Sequence, residues 1–327
     1  MTKDEYWNRK NVFVTGATGI LGSWLVEELL SQKAHVIALI RDWVPDSNLY
    51  LSGLDKKVTI VHGCLEDYQV VERSLNEYEV DTVFHLGAQT IVGTANRSPL
   101  STFESNIKGT WNVLEAVRNS KLVQRLVVAS SDKAYGPSDS LPYTEETPLA
   151  AIHPYDVSKS CSDLLARSYY ETYGIPVGIT RCGNFYGGGD LNFNRIVPGT
   201  IRSIYFKESP VIRSDGKYVR DYFYVKDAVD AYLTLGRNLD RREVRGHAFN
   251  FGTEEKISVI DLVNKILKIC KAENLKPRVL NEATNEIREQ YLSCKKAKSM
   301  LSWDYSYPLD KGLKETVDWY FNFFKNH

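Results

Sequence analysis

The sequence predicts an α/β fold, a doubly wound parallel sheet with a smaller C-terminal lobe. Three observations carry this: six short apolar, β-branched runs alternate with helical segments over the first 181 residues, a glycine-rich turn joins the first run to the first helix, and the rhythm changes near residue 182. Alternating strands and helices imply parallel βαβ units, because a parallel neighbour is reached only by a crossover.

The runs fall at 12–15, 36–40, 58–61, 82–86, 126–130 and 177–181. After the first, Leu21, Trp24, Leu25 and Leu29 recur at i, i+3, i+4 and i+8, a stripe that packs on a sheet while Glu27 and Glu28 face water. Beyond residue 182, Gly187-Gly188-Gly189-Asp190 reads as a loop, 196–206 as a helix bearing Arg202 just after Arg195, 259–269 as an amphipathic helix and 309–324 as an aromatic-rich terminal helix. Phe249-Asn250-Phe251 is apolar enough to return to the sheet. The expected division is therefore 1–181 for the sheet domain, with a strand near 247–252 returning to it, and 182–327 mainly for the second lobe.

A length of 327 residues suits one large domain or two intimate ones. Hydrophobic residues at 43% and charged residues at 25% exclude disordered, collagenous and coiled-coil chains. Forty-one basic side chains balance 41 acidic ones, so no global field attracts nucleic acid or an anionic membrane. The basic clusters Arg241-Arg242 and Lys295-Lys296-Ala297-Lys298 are short and read as solvated surface. Cys64, Cys161, Cys182, Cys270 and Cys294 form no C-x-x-C pair, so neither a disulfide framework nor a metal site is expected. The first ten residues are polar, and no run of about 20 apolar residues follows, so a cytoplasmic location is expected.

Directly after the first run comes Thr15-Gly16-Ala17-Thr18-Gly19-Ile20-Leu21-Gly22. Glycines at this spacing let the backbone approach a pyrophosphate, and the helix N-terminus offers free N–H groups. A tight turn alone would use glycine too; its placement between strand and amphipathic helix is what points to a dinucleotide. The second run ends Leu39-Ile40-Arg41-Asp42. Arg41 could meet a 2′-phosphate or be ordinary surface, and Asp42 could serve a ribose.

Tyr155 and Lys159 stand at i and i+4, on one helix face. Spacing decides nothing by itself, since about 1.4 such pairs arise by chance from 20 Tyr and 23 Lys and five occur, including Tyr6/Lys10, Tyr222/Lys226, Tyr291/Lys295 and Tyr307/Lys311. Context selects Tyr155/Lys159, which follows Ala129-Ser130-Ser131-Asp132-Lys133 at a strand's carboxyl end, where open α/β sheets bind ligands.

Together with Phe84-His-Leu-Gly-Ala-Gln89, Asn106-Ile-Lys-Gly-Thr110 and Arg181-Cys-Gly-Asn-Phe-Tyr-Gly-Gly-Gly-Asp190, these pieces resemble the extended short-chain dehydrogenase/reductases, and within them the nucleotide-sugar 4,6-dehydratases. The resemblance covers nearly the whole chain and implies a Rossmann sheet followed by a nucleotide-sugar-binding lobe. Gln89, Ser98-Pro-Leu100, the Arg181–Asp190 piece and Arg195-Ile-Val-Pro198 are most similar to CDP-glucose 4,6-dehydratases.

Such enzymes oxidise the sugar at carbon 4, eliminate water across carbons 5 and 6, and return the same hydride to carbon 6. The resemblance implies that Tyr155 takes the 4-hydroxyl proton, with its phenol pKa brought well below about 10 by Lys159 and the nicotinamide cation. Ser131 would bond the same oxygen, Asp132 would protonate the departing 6-hydroxyl, and Lys133 would take the carbon 5 proton. A basic lysine must be neutral, so burial and neighbouring positive charge are expected around it.

Cofactor contacts are implied for Gly16, Thr18, Gly19, Ile20, Leu21, Gly22, Arg41, Asp42, Cys64, Leu65, Leu86, Gly87, Ala88, Tyr155 and Lys159. Ile40 takes the usual acidic position and Arg41 follows it, so NAD(P) is expected with NADP slightly favoured. Gly63-Cys64 departs from the family's frequent Gly-Asp beside the adenine. Substrate contacts are implied for Gln89, Asn106, Asn184, Arg195 and Arg220, although Asn106 could instead cap a helix. His85 and His153 read as structural. A homodimer through the helices facing Asn106 and Tyr155 is expected. Two other functions stay open: a nucleotide-sugar 4-epimerase, which typically has small apolar residues where Asp132 and Lys133 stand, and a non-catalytic dinucleotide sensor.

Overall fold

The computed structural model describes residues 5–282 and 287–327; the first four residues of the polar N-terminal segment lie outside them. Seven parallel strands form the central sheet: β1 (Asn11–Thr15), β2 (His35–Ile40), β3 (Thr59–His62), β4 (Thr82–His85), β5 (Arg125–Ala129), β6 (Val177–Cys182) and β7 (Ala248–Phe251). Their order is β3-β2-β1-β4-β5-β6-β7. The first six coincide with the expected runs to within one residue. Strand β7 is the Phe249 segment, aligned on β6 from Ala248↔Ile179 to Phe251↔Cys182.

These strands are apolar throughout because both faces are covered. Phe13, Ile37, Leu39 and Val83 enter one core layer, while Val12, Val14, Val36 and Phe84 enter the other, as period-two alternation requires. On the first face lie α2 (Tyr68–Glu77), α3 (Gly109–Asn119) and α4 (Pro154–Tyr173); on the second, α1 (Ile20–Ser31) buries Leu21, Leu25, Val26 and Leu29. Trp24, at the edge of that stripe, donates its indole N–H to the Gly188 carbonyl at 2.8 Å.

Helices α5 (Ile196–Tyr205), α7 (Val259–Ile269) and α8 (Leu309–Asn326) pack together beyond the sheet. Between α5 and α7, α6 (Val225–Asn238), which the periodicity reading did not single out, packs beside α1 on the sheet. Its Leu235 and the following Leu239 fill the space that a side chain at Gly178 would take. Residues after 182 therefore supply both a strand and a helix of the sheet layers. Among the described residues no helix is long and apolar enough to cross a membrane.

The chain leaves β1 in one direction for β2 and β3, and in the other for β4 to β7. That reversal opens a crevice at the carboxyl ends of β1 and β4.

Candidate active site

The crevice continues into a cavity of about 890 Å³ between the sheet and the C-terminal helices. The turn from β1 into α1 forms one wall. Gly16 has φ +74°, and a Cβ there would meet the Gly87 amide nitrogen at 2.8 Å; a Cβ on Gly22 would run into the Gly16 carbonyl oxygen. Gly19 leads α1 with no side-chain cap and no acid in the first turn, and Ile20, Leu21 and Gly22, whose N–H groups have no partner within the helix, line the cavity. This arrangement fits a pyrophosphate.

Of the other expected cofactor residues, Thr18, Leu86, Ala88, Tyr155 and Lys159 line the cavity. Gly87 sits behind Gly16, and Leu65 packs beneath Gly87 and Gly109. Arg41, Asp42 and Cys64 are not on its wall. Arg41 Nε donates to Asp42 Oδ2 at 2.7 Å, and both side chains are more than half exposed.

The redox and elimination groups come from two adjoining elements. Ser131 starts a single 3₁₀ turn, Asp132–Tyr135, directly after β5, and α4 starts at Pro154, whose fixed φ suits a first helical turn. Ser131, Asp132, Lys133, Tyr155 and Lys159 all line the cavity. Lys159 is buried, donates to the Ala129 carbonyl at 2.7 Å and is pushed down to about 8 by that burial.

Burial pushes the Tyr155 phenol up to about 12, against a hydrogen bond with Ser131 and the charge of Arg195. Among the chain's own groups, Ser131 and Arg195 act to lower it, so a phenolate near neutral pH needs a further cation beside the phenol. Lys133 acts on two buried carboxyls, Asp132 and Asp156, each raised above the usual carboxylate range by burial and opposed chiefly by Lys133. Asp156, on the cavity wall, was missed in the sequence, since nothing marked a residue between two motif positions.

From the second lobe, Asn184, Arg195 and Arg220 reach the cavity. Arg195 Nη1 pairs with Asp190 Oδ2 at 3.0 Å, and Tyr320 of α8 holds the Asp190 carbonyl at 2.7 Å. Arg220 is buried, donates to the carbonyls of Val219 and Arg288 and lies over the Tyr218 ring.

Gln89 and Asn106 are not on the wall. Asn106 caps no helix start; it sits buried in a π-helical turn, Glu104–Lys108, where its amide accepts from Gln89 N at 2.7 Å and donates to Gln89 O and Ser158 Oγ. His85 is buried and bonded through both ring nitrogens. His153 lines the cavity beside Asp156.

Residues 12–252 match the model of the NAD dependent epimerase/dehydratase family. The chain belongs to this family. A CDP-glucose 4,6-dehydratase from Salmonella typhimurium is 28% identical, over 98% of this chain and 93% of that one. A dTDP-glucose 4,6-dehydratase from Xanthomonas campestris is 29% identical, over 94% and 92%. Among solved structures, a dTDP-glucose 4,6-dehydratase from Streptomyces venezuelae with NAD bound superposes with a TM-score of 0.86 at 27% identity, covering 95% of this chain and 96% of that one. A UDP-glucose 4-epimerase from Thermotoga maritima reaches 0.88 at 27% identity, covering 96% and 99%. Both dehydratases and epimerases of the family thus share this fold, and only the side chains in the cavity can separate them.

Proposed function

We propose that the protein is a nucleotide-sugar 4,6-dehydratase, a lyase that makes a 4-keto-6-deoxy sugar from a nucleotide-diphosphate sugar. The observation that carries this is the placement of Asp132 and Lys133 in the same cavity as Ser131 and Tyr155: an acid and a base beyond what redox chemistry at carbon 4 needs. Bound NAD supplies the acceptor and later the donor of hydride.

Tyr155, hydrogen-bonded to Ser131, takes the 4-hydroxyl proton. Once carbon 4 is a ketone, the carbon 5 proton is acidic, and Lys133 takes it as a free amine. Asp132 gives a proton to the 6-hydroxyl, which leaves as water. Burial favours the protonated carboxyl of Asp132, the form that can give a proton to oxygen 6. When hydride returns to carbon 6, Lys133 gives its proton back to carbon 5, and the proton that Tyr155 took from the 4-hydroxyl replaces the one Asp132 gave to the departing water, so the proton count closes. Asn184, Arg195 and Arg220 would hold the diphosphate, guanidinium forks matching its oxygens. On this reading residues 1–181, with β7, carry the cofactor and 182–327 mainly the nucleotide sugar.

CDP-glucose is the proposed donor. Incubating the protein with CDP-, dTDP-, UDP- and GDP-sugars and weighing the products should show loss of water, fastest with CDP-glucose. A faster GDP or dTDP sugar would change the substrate but not the reaction, whereas a 4-epimer of unchanged mass would make the protein an epimerase.

For the cofactor, the sequence favours NADP through Arg41, but Arg41 is already paired with Asp42, whose carboxylate would repel a 2′-phosphate. We therefore expect NAD to bind at least as tightly as NADP. Calorimetry on cofactor-stripped protein checks this; a tenfold preference for NADP, about 1.4 kcal/mol, would restore the Arg41 argument.

Leu100, Trp111 and Leu164 are 73%, 43% and 55% exposed on the helix Pro99–Phe103, α3 and α4, an apolar face suited to a homodimer. Sedimentation should give twice the 37.2 kDa chain mass. The five cysteines are all free, which suits a reducing cytoplasm.

A further inference from the structure

His85 joins two regions that the proposed reaction needs at once, and the direction of every hydrogen bond through it can be worked out. Thr15 Oγ1, at the end of β1, accepts from the amides of Leu86 at 3.1 Å and Gly87 at 2.9 Å. Both of its lone pairs are engaged, so its single proton goes to His85 Nδ1, 3.0 Å away. Nδ1 is therefore bare, and a neutral ring carries its proton on Nε2. From there the link runs to Thr110 Oγ1 at 3.1 Å, whose own proton goes to the Asn106 carbonyl at 2.5 Å.

On the far side, Ser162 Oγ of α4 donates to the same Asn106 carbonyl at 3.0 Å. The Asn106 amide donates to Ser158 Oγ at 2.8 Å, and Ser158 Oγ donates to the Tyr155 carbonyl at 2.6 Å. One nitrogen of the ring thus faces the glycine turn, and the other faces the π turn and the helix that carries Tyr155 and Lys159.

We propose that His85 is a positioning residue with two separable halves: Nδ1 holds the cofactor turn through Thr15, and Nε2 holds the Tyr155 helix through Thr110 and Asn106. The proposal rests on the dehydratase reading of the same site and deepens it. Burial, with the charge of Lys159 adding, holds the imidazole down at about 3, so the ring stays neutral and the link keeps its direction at working pH. Gly16 lies so close against the Gly87 backbone that a Cβ would not fit, so the turn is seated directly on the segment that follows His85.

Two amide substitutions divide the ring. His85→Asn puts an acceptor where Nδ1 stood and nothing near Thr110; His85→Gln puts a donor where Nε2 stood and leaves Thr15 unmatched. NAD affinity by calorimetry and turnover at saturating NAD are measured for both, using the donor that the wild type converts fastest. His85→Asn should keep NAD affinity within about threefold and lose about tenfold in turnover, and His85→Gln should do the reverse, as expected for one unmet buried partner. Thr110→Val, which leaves the ring in place, should behave like His85→Asn and add little in its background. If both His85 variants lose affinity and turnover in the same proportion, the histidine is only structural and the proposal falls.

Should the His85 variants not fold, Thr110→Val decides alone, and unchanged turnover or an equal loss of NAD affinity overturns the idea. A wild type that converts no nucleotide sugar defeats the dehydratase reading instead. The Tyr155 phenol titration, read as a difference spectrum against Tyr155→Phe, then replaces turnover; it should move in Thr110→Val, and an unmoved titration refutes the link.

Discussion

Replacing Lys133 by methionine should stop the reaction after carbon 4 has been oxidised. The substitution keeps most of the side chain's length and removes the amine proposed to take the carbon 5 proton, while Ser131, Tyr155 and Lys159 are left unchanged on the cavity wall. Overall turnover should fall by about 10²- to 10⁴-fold, the usual contribution of a positioned base. Reduced cofactor should then accumulate on the enzyme, visible at about 340 nm. Asp132→Asn should differ in kind: it cannot protonate the 6-hydroxyl, so water loss slows, yet carbon 5 should still exchange its hydrogen in heavy water. Because Lys133 opposes the burial of both Asp132 and Asp156, the methionine variant should also raise the proton affinity of those carboxyls further. A wild type that epimerises without losing water, with Lys133→Met unimpaired, would move the assignment to a 4-epimerase.

Tyr155→Phe should abolish oxidation and elimination alike, again by about 10²- to 10⁴-fold, because without an acceptor for the 4-hydroxyl proton there is no ketone to acidify carbon 5. Its titration offers a second test. Burial holds the phenol at about 12, and Ser131 and Arg195 only partly offset this. A cation beside the phenol favours the phenolate, so binding oxidised NAD should lower this pKa, and binding the uncharged reduced nicotinamide should lower it much less. The sign is fixed by linkage: if oxidised NAD lowers the phenol pKa, its affinity must rise with pH through that titration, and Tyr155→Phe must flatten the dependence. Removing Arg195 by Arg195→Met should push the phenol higher still and move the activity profile to higher pH. An affinity for oxidised NAD that ignores pH in the wild type would refute this account of Tyr155.

The sheet could be read in the sequence because its strands are covered on both faces. Residues such as Val12 and Phe13 are apolar on alternate sides for two different cores, and the resulting unbroken runs stand out. The glycine turn could be read because its glycines answer close backbone contacts and a positive φ that other residues tolerate poorly. Tyr155 was separable from its look-alikes only by position. The structure shows where one of those went: Tyr222 is buried in a short strand, and its partner in the spacing, Lys226, is paired with Glu315.

What stayed hidden depends on neighbours far apart in the chain. The sequence by itself determined the parallel sheet and the glycine turn, since each is written in local period or local spacing, whereas Ser131, Asp132, Lys133, Tyr155 and Lys159 were picked out by their place along the chain and by resemblance. Tertiary structure alone decided that α6 joins the sheet layer, that Gln89 and Asn106 bind each other behind the wall, that Arg41 is taken by Asp42, and that Asp156 stands with Asp132 and Lys133. Burial, and the charges that burial brings within reach of one another, set the proton affinities of Tyr155, Asp132 and Lys159. Desolvation depends on everything packed around a group, which no stretch of sequence contains.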